Sequence, residues 1–274
     1  MKFDRLPRYL FIAVLSAACL FPLIWMLSYS LRPVGLAPPN EFQLFAPPLA
    51  FDNFARVAEL IPLNRFALNS LIVVVCAVPL TLLTASWAGF AMTQVSRRTQ
   101  TALVALCIAL MLVPTPTLWV PRFIVFVQFG WIDSLIALIA PALMGTSSFY
   151  VLIFYLTFAR TSSEIFESAR LDGATLWRTW YAIALPLARP AVIAVALLAF
   201  TYYWGNYSDS LLYLRSQVNY TLPIGLQMLK QMQVSDFPLL MAAAVMVTAP
   251  VVLLFAFAQR FFFQAQVELA RWLR

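Results

Sequence analysis

The sequence is poor in the residues that build catalytic and metal sites. It has no histidine and three cysteines, and Asp, Glu, Lys and Arg together make up only 11% of its 274 residues. Cys19, Cys76 and Cys107 all fall in apolar stretches and show no CxxC spacing. A zinc site or a disulfide framework therefore has little support. An enzyme is disfavoured as well, because histidine, a metal cluster and a nucleophile elbow are all missing.

Apolar residues account for 63% of the chain, too many for one soluble core. The composition indicates an integral membrane protein. The net charge of +7 comes from cations scattered singly at the ends of apolar runs. Anionic lipid headgroups and membrane topology require such a distribution, so we expect membrane lipid and not nucleic acid as a partner.

Six apolar runs reach the roughly 20 residues that a helix needs to cross a bilayer. The predicted fold class is an all-α integral membrane protein forming a single transmembrane domain over residues 1–274. The predicted spans are residues 10–30, 67–93, 101–120, 135–158, 190–212 and 238–262. Pro114, Pro116 and Pro121 are expected to break or kink the third span, either as a gate element or simply at its end.

The distribution of lysine and arginine predicts the orientation. With the N-terminus in the cytoplasm, 12 of the 18 basic residues lie inside, and the bias is sharpest in the short Ser96-Arg97-Arg98 loop. Both termini are therefore expected in the cytoplasm, together with the polar insert of residues 159–189.

This insert predicts two short helices on the inner membrane surface. Ser162 or Ser163 can cap the first helix, and Glu164 and Glu167 suit its positive dipole end. Gly173 permits a tight bend or a close backbone approach, because it lacks a Cβ. Residues 175–185 form the second helix, which prolines connect to the fifth span. An interfacial loop without any partner remains an equally good interpretation from composition alone.

The spacing of the insert resembles a known signature. Glu167-Ser168-Ala169, three residues, Gly173, nine residues, Ile183, one residue and Leu185-Pro186 are similar to the EAA motif of permease subunits of bacterial binding-protein-dependent ABC importers. Only Ser168 departs, standing in place of Ala. In that family the first short helix is the coupling helix, which sits in a groove of the ATP-hydrolysing subunit. The resemblance assigns ATPase coupling to Glu167, Ser168, Ala169, Arg170, Leu171, Asp172, Gly173, Ile183 and Pro186.

By the same resemblance, Glu167 would face a basic or polar group of that subunit. Ala169 and Gly173 would allow close packing, and Leu171 would fill an apolar hollow. The implied fold is that of a type I ABC importer permease in the bacterial inner membrane. Implied partners are a second, longer permease, an ATP-binding subunit dimer and an extracytoplasmic solute-binding protein. ATP and Mg²⁺ would be bound by the ATPase, so no cofactor is expected in this chain.

Softer motifs are similar to the carbohydrate branch of the family, specifically to the shorter permease of maltose-type systems. They include Asn69-Ser70, residues 131–134 (Trp-Ile-Asp-Ser), residues 204–207 (Trp-Gly-Asn-Tyr) and residues 220–226. The expected function is ATP-driven sugar import by alternating access. A non-sugar solute such as a polyamine or a phosphate ester is the alternative, and a stand-alone channel or carrier fits less well because the spans contain almost no ionisable residue.

Polar and aromatic residues near the outer end of the fifth span are candidates for the substrate pathway. Aromatic faces beside hydroxyl and amide groups suit sugar rings, and unsatisfied polar atoms are costly in lipid. An aromatic belt at the membrane surface, or polar packing between helices, would produce the same pattern. The candidates are Tyr203, Trp204, Asn206, Tyr207 and, in the fourth span, Ser147.

Overall fold

Every regular element in the described part of the chain is helical. The computed structural model describes residues 5–35, 43–45, 47–143, 147–232 and 236–272, and for residues 5, 6 and 261–272 the backbone alone. The longer helices are α1 (Arg5–Ser30), α3 (Leu63–Thr93), α4 (Arg97–Met111), α5 (Trp119–Gln128), α7 (Ser148–Ala159), α11 (Arg189–Trp204), α13 (Leu222–Met232) and α14 (Phe237–Trp272). The shorter ones are α2 (Asn53–Leu60), α6 (Ile136–Leu143), α8 (Ser163–Leu171), α9 (Leu176–Thr179), α10 (Leu185–Leu187) and α12 (Tyr207–Tyr213).

Four helical stretches in the described residues are long and apolar enough to cross a membrane. They are Pro7–Ser30, Leu63–Thr93, Ile136–Ala159 and Phe237–Arg260. Two bent pairs bring the number to six if each pair is one span, which agrees with the all-α membrane fold expected from the sequence.

The first bent pair lies where the third span was predicted. The Arg97–Met111 helix and the Thr115–Gln128 stretch meet at 91°. Pro114 and Pro116 explain the break, because proline has no N–H to donate and disfavours the α conformation in the residue before it. Pro121 lies inside the helical Thr115–Gln128 stretch, which continues through it, so the expectation that it also breaks the span is wrong.

The second bent pair joins the 159–189 insert to the fifth predicted span. The Leu176–Leu187 stretch and α11 meet at 84°, and Pro186 and Pro190 flank the bend. Helix α11 ends at Trp204, so the predicted span of residues 190–212 contains a break at Gly205 before α12 begins. The third and the fifth predicted spans therefore each consist of two helices.

The chain divides into two units. The first, Met1–Asn64 with Ile224–Val252, includes α1 and α2. Here the buried Asn53 amide donates to the carbonyls of Ser30 and Arg32, at 2.8 and 2.7 Å. Since a helix leaves its last carbonyls without intrahelical partners, Asn53 satisfies the end of α1.

The second unit, Arg65–Pro223 with Leu253–Arg274, contains the aromatic core. Helices α3 and α7 approach closely at Gly89, where an added Cβ would lie 2.7 Å from Phe154 Cβ and 2.8 Å from the Tyr155 nitrogen. Only glycine fits this contact, because two of the three nearest atoms belong to the α7 backbone and cannot rotate away.

Replacing Gly89 is expected to destabilise the second unit. Gly89→Ala should lower the stability of the protein by about 1–3 kcal/mol, because the extra methyl forces α3 and α7 apart. The measurement is thermal unfolding of the purified protein in detergent. Leu83→Ala, at an exposed position of the same helix, is the control and should change the midpoint little. Equal midpoints for the two variants would contradict the close contact.

Candidate functional site

Helix α8 turns one face into the protein and the opposite face out. Phe166 and Ala169 are buried, whereas Leu171 is 88% exposed. At 100° per residue, Glu164, Glu167, Ser168 and Leu171 share the outer face, and all four are exposed. Ala169, which the resemblance assigned to close packing with another subunit, instead packs within its own chain.

An aromatic cluster holds the inner face of α8. The ring of Phe166 contacts Phe90 of α3 edge-on at 5.8 Å between centroids, and Phe90 contacts Phe158 of α7 at the same distance. Edge-to-face pairs at this separation add to the free energy of burial, by about 0.5–1.5 kcal/mol each. Three elements are thus joined through one ring, a role of Phe90 that the sequence pattern does not reveal.

A second set of rings continues the cluster to the following helix. Trp87 of α3 lies 5.1 Å from both Trp177 and Trp180, centroid to centroid, and these two rings lie 4.7 Å apart. Trp180 is buried, while Trp177 is half exposed. The end of α3 therefore contacts both short helices of the insert.

Polar contacts connect α8 to the loop between α3 and α4. Arg170 donates to Gln94, whose own amide donates to Thr93 at 2.7 Å. A groove of about 270 Å³ lies here, and it is lined by Arg97, Gln100, Glu167 and Arg170 among others. Of the predicted coupling residues, Arg170 is therefore engaged within this chain, and Glu167 borders a groove that also carries two arginines.

Gly173 ends α8 with a Schellman motif. Its φ is +76°, and the Ala174 N–H donates to Ala169 O at 2.9 Å while the Gly173 N–H donates to Arg170 O at 3.0 Å. No atom lies within 4 Å of an added Cβ. The tight bend predicted for Gly173 is present, and it is the backbone conformation rather than a close approach within this chain that requires glycine.

The remaining predicted residues of the insert lie at the ends of α8 and along the second short helix. Ser162 occupies the N-cap position of α8, one of the two positions predicted, but its hydroxyl makes no capping hydrogen bond. Thr175 caps α9 instead, accepting from the Arg178 N–H at 3.3 Å. Asp172 is exposed at the end of α8, Ile183 is half-buried against the aromatic core, and Pro186 is exposed in α10.

A π-helical turn, Trp180–Ala184, precedes Pro186. Proline offers no N–H to the carbonyl four residues earlier, and the Leu185 N–H donates to Trp180 O, five residues back. The π-helical turn therefore shifts the hydrogen-bond pattern from four to five residues just before the 84° bend.

A second cavity, of about 230 Å³, gathers part of the predicted substrate pathway. We call it the tyrosine cavity, after the three tyrosines that line it. It brings Tyr203 and Ser147 together, as the pathway hypothesis requires. The lining also includes Ser148 and Tyr202, which adjoin these candidates in sequence, and two residues that the sequence pattern does not indicate, Arg122 and Tyr150.

The remaining pathway candidates do not line this cavity. The Asn206 side chain caps α12, accepting from the Asp209 N–H at 3.1 Å and donating to Asp209 Oδ2 at 2.8 Å. Trp204 is buried and stacks on Phe200 at 5.5 Å. Tyr207 is half-buried in the first turn of α12. In this structure Asn206 and Trp204 therefore have structural contacts.

An ion pair lies beside the tyrosine cavity. Arg122 Nη1 of α5 is 3.6 Å from Asp209 Oδ2 of α12, with side chains 15% and 6% exposed. Both side chains are largely buried, in the second halves of the two broken spans.

Asp133 fixes the loop that follows α12. Its carboxylate accepts from the backbone N–H groups of Arg215 and Ser216 at 3.0 and 2.9 Å, and from the Ser216 hydroxyl. These hydrogen bonds, led by that from the Ser216 hydroxyl, hold the pKa of Asp133 well below its usual range. Asn69 fixes the same loop from α3, donating to Val218 O and Tyr220 O at 2.8 Å each.

Comparison with known proteins identifies the family. Residues 64–266 match the model of the family described as the binding-protein-dependent transport system inner membrane component. The chain belongs to this family. The protein is thus a permease of an ABC importer, a transport component of the inner membrane and not an enzyme.

Relatives match the permease over nearly its full length. The arabinooligosaccharides transport system permease protein AraQ of Halalkalibacterium halodurans is 30% identical, over 91% of this chain and 90% of that protein. The melibiose/raffinose/stachyose import permease protein MelC of Bacillus subtilis is 25% identical, over 91% of this chain and 90% of that protein. A bacterial ABC transporter that imports the acidic polysaccharide alginate has the same fold, with a TM-score of 0.78, 19% identity, and coverage of 96% of this chain and 98% of that one.

The bend at Gly173 generates a prediction about backbone conformation. Gly173→Val should misplace α9 and reduce solute uptake by the assembled importer, because a β-branched residue is strained at positive φ by about 1–2 kcal/mol. Gly173→Asn is the matched control and should retain most uptake, since asparagine adopts this conformation readily and open space surrounds the site. Equal uptake by the two variants would contradict the role of the bend.

Asp133 generates a prediction for the loop after α12. Asp133→Ala should expose the Arg215–Ser216 bond and speed its cleavage by trypsin, because the carboxylate holds both backbone N–H groups. Asp52→Ala, which removes only an exposed ion pair with Arg56, is the control.

The pH dependence of this protection has a defined sign. The pKa of Asp133 is depressed in the folded protein, so its stabilising effect is fully present above the ordinary aspartate pKa of about 3.9 and declines only as pH falls through the lower folded value. Between about pH 5 and 8 the protection of the loop should be constant for this reason. Loss of protection near pH 6, or equal cleavage of both variants, would contradict the assignment.

Proposed function

We propose that this chain is the shorter of two permeases in a heteromeric ABC importer for a carbohydrate. A separate pair of ATPase subunits, which bind ATP and Mg²⁺, drives it through α8. Both termini and the 159–189 insert lie in the cytoplasm, as the excess of basic residues on that side favours. A solute-binding protein delivers the sugar from the opposite side.

The exposure of Leu171 on a helix anchored by Phe166 is the observation that carries the coupling role. The outer face of α8 presents Leu171 beside two glutamates and Ser168, while the inner face is held by the aromatic cluster. A partner surface with one apolar hollow and a basic or polar rim would complement this face.

The contacts of α8 define the route by which its motion reaches the membrane helices. Closure of the ATPase dimer on ATP moves α8, and Phe166 transmits the displacement to Phe90 near the end of α3. The tryptophan contacts of Trp87 add a second connection through α9. Since packed rings resist compression, the helices respond together, and the pathway opens to the side of the binding protein. Release of ADP reverses this motion.

The tyrosine cavity supports a carbohydrate as the solute. Tyrosine rings stack on the apolar C–H faces of sugars while hydroxyls of Tyr and Ser reach their polar rims, and both occur in its lining. Relatives named for arabinooligosaccharides and for melibiose, raffinose and stachyose favour the same class.

Uptake by the assembled importer tests the solute class. Proteoliposomes that contain both permeases and the ATPase, with the binding protein added, should accumulate a labelled oligosaccharide only when ATP is supplied inside. Labelled putrescine and glycerol phosphate serve as competing probes. Accumulation of either one, with no oligosaccharide transported, would overturn the carbohydrate assignment.

Leu171 provides the test of coupling. Leu171→Ala should weaken copurification of the ATPase subunits by about tenfold or more, because removing most of a buried leucine contact sacrifices roughly 1.5–3 kcal/mol. Membrane insertion should persist, since Leu171 is 88% exposed and contributes little to packing within its own chain. Leu187→Ala, at an exposed leucine of the same insert, is the control. Undiminished copurification and uptake in Leu171→Ala would show that this face does not couple.

A further inference from the structure

Arg122 is a largely buried cation beside the proposed solute pathway. It lines the tyrosine cavity with Tyr150, Tyr202 and Tyr203. An arginine inside a membrane-spanning region costs about 2.5–3.5 kcal/mol on insertion scales, and such residues mark solute or ion pathways. If the bent α4–α5 pair is one span, Arg122 lies within it.

The pairing of Arg122 with Asp209 leaves donor capacity unused. The separation of 3.6 Å between Nη1 and Oδ2 exceeds the 2.7–2.9 Å typical of a charge-assisted hydrogen bond. Asp209 Oδ2 already accepts from the Asn206 amide at 2.8 Å. Nη1 is buried and makes no hydrogen bond among the described residues.

Part of the Arg122 side chain is accessible. Nη1 is buried, so the 15% exposure of this side chain belongs to its other atoms, and the residue lines the cavity. Guanidinium carries five N–H donors in a planar fork that matches a carboxylate or a sulfate. Neutral hydroxyls of a sugar need no buried positive charge, since the tyrosine and serine side chains of the lining satisfy them.

We infer that Arg122 binds an anionic group of the transported solute, and that the solute is an acidic saccharide bearing carboxylates or sulfates. This inference rests on the proposed function for the saccharide itself. Asp209 offsets part of the charge and keeps the contact weak, which suits a residue that must release its ligand within each transport cycle. The cavity, at about 230 Å³, is below the roughly 300–1,000 Å³ of sites for drug-sized ligands and therefore holds only part of an oligosaccharide.

The test compares matched solutes in the assembled importer. Proteoliposomes with the ATPase and the binding protein receive labelled trisaccharides of galacturonate, glucuronate and mannuronate, and the neutral trisaccharides of galactose, glucose and mannose. We expect an acidic trisaccharide to be transported in preference to its neutral counterpart. Transport of neutral trisaccharides alone would overturn this inference and leave the proposed function intact. Transport of no trisaccharide would overturn both.

Variants of the pair separate anion binding from simple charge neutralisation. Arg122→Gln should reduce uptake of the acidic trisaccharide at least tenfold, and Arg122→Lys should retain part of it. The double variant Arg122→Gln/Asp209→Asn leaves no buried charge unpaired, and it should remain as defective as Arg122→Gln alone. Recovery of acidic uptake in the double variant would show that Arg122 only neutralises Asp209, and would overturn the inference. Copurification of the ATPase subunits confirms that each variant is folded.

Discussion

The contact between Phe166 and Phe90 is the interaction on which the proposed coupling depends. A helix of nine residues is too short to be stable by itself, so its packing against the protein must hold it. Phe166 and Ala169 provide that packing, and they direct Leu171 and its charged neighbours outward. Through the same ring contact, a displacement of the outer face of α8 is transmitted to α3.

Breaks in two predicted spans position the ion pair of the second unit. Proline at positions 114 and 116, and Gly205 after α11, divide each span into two helices. Arg122 and Asp209 lie in the second halves of these two spans, and their ion pair links α5 to α12. A continuous helix in either span would not provide this arrangement, because the bend changes the direction of the residues that follow it. The tyrosine cavity is bordered by the first of these bends.

The sequence predicted the membrane class, the polar insert and the bend at Gly173, because apolar length, charge and the absence of a Cβ are local properties. It did not predict the inward direction of Ala169, since the orientation of a short helix depends on which surface receives it. Asn206 resembled a pathway residue because its amide is polar, yet a capping contact within four residues uses that amide. Arg122 and Asp209 are 87 positions apart, so no pattern in the sequence indicates their pairing.

The most direct test of the account is the ATPase activity of the assembled importer with Phe166→Ala, measured with and without the solute-loaded binding protein. Leu171 is unchanged in this variant, and the packing of Ala169 with the Arg170–Gln94 hydrogen bond still holds α8, so the ATPase subunits should still copurify. Because the contact with Phe90 is lost, the binding protein should no longer stimulate hydrolysis. Normal stimulation in a variant that has lost this contact would contradict transmission through the aromatic cluster.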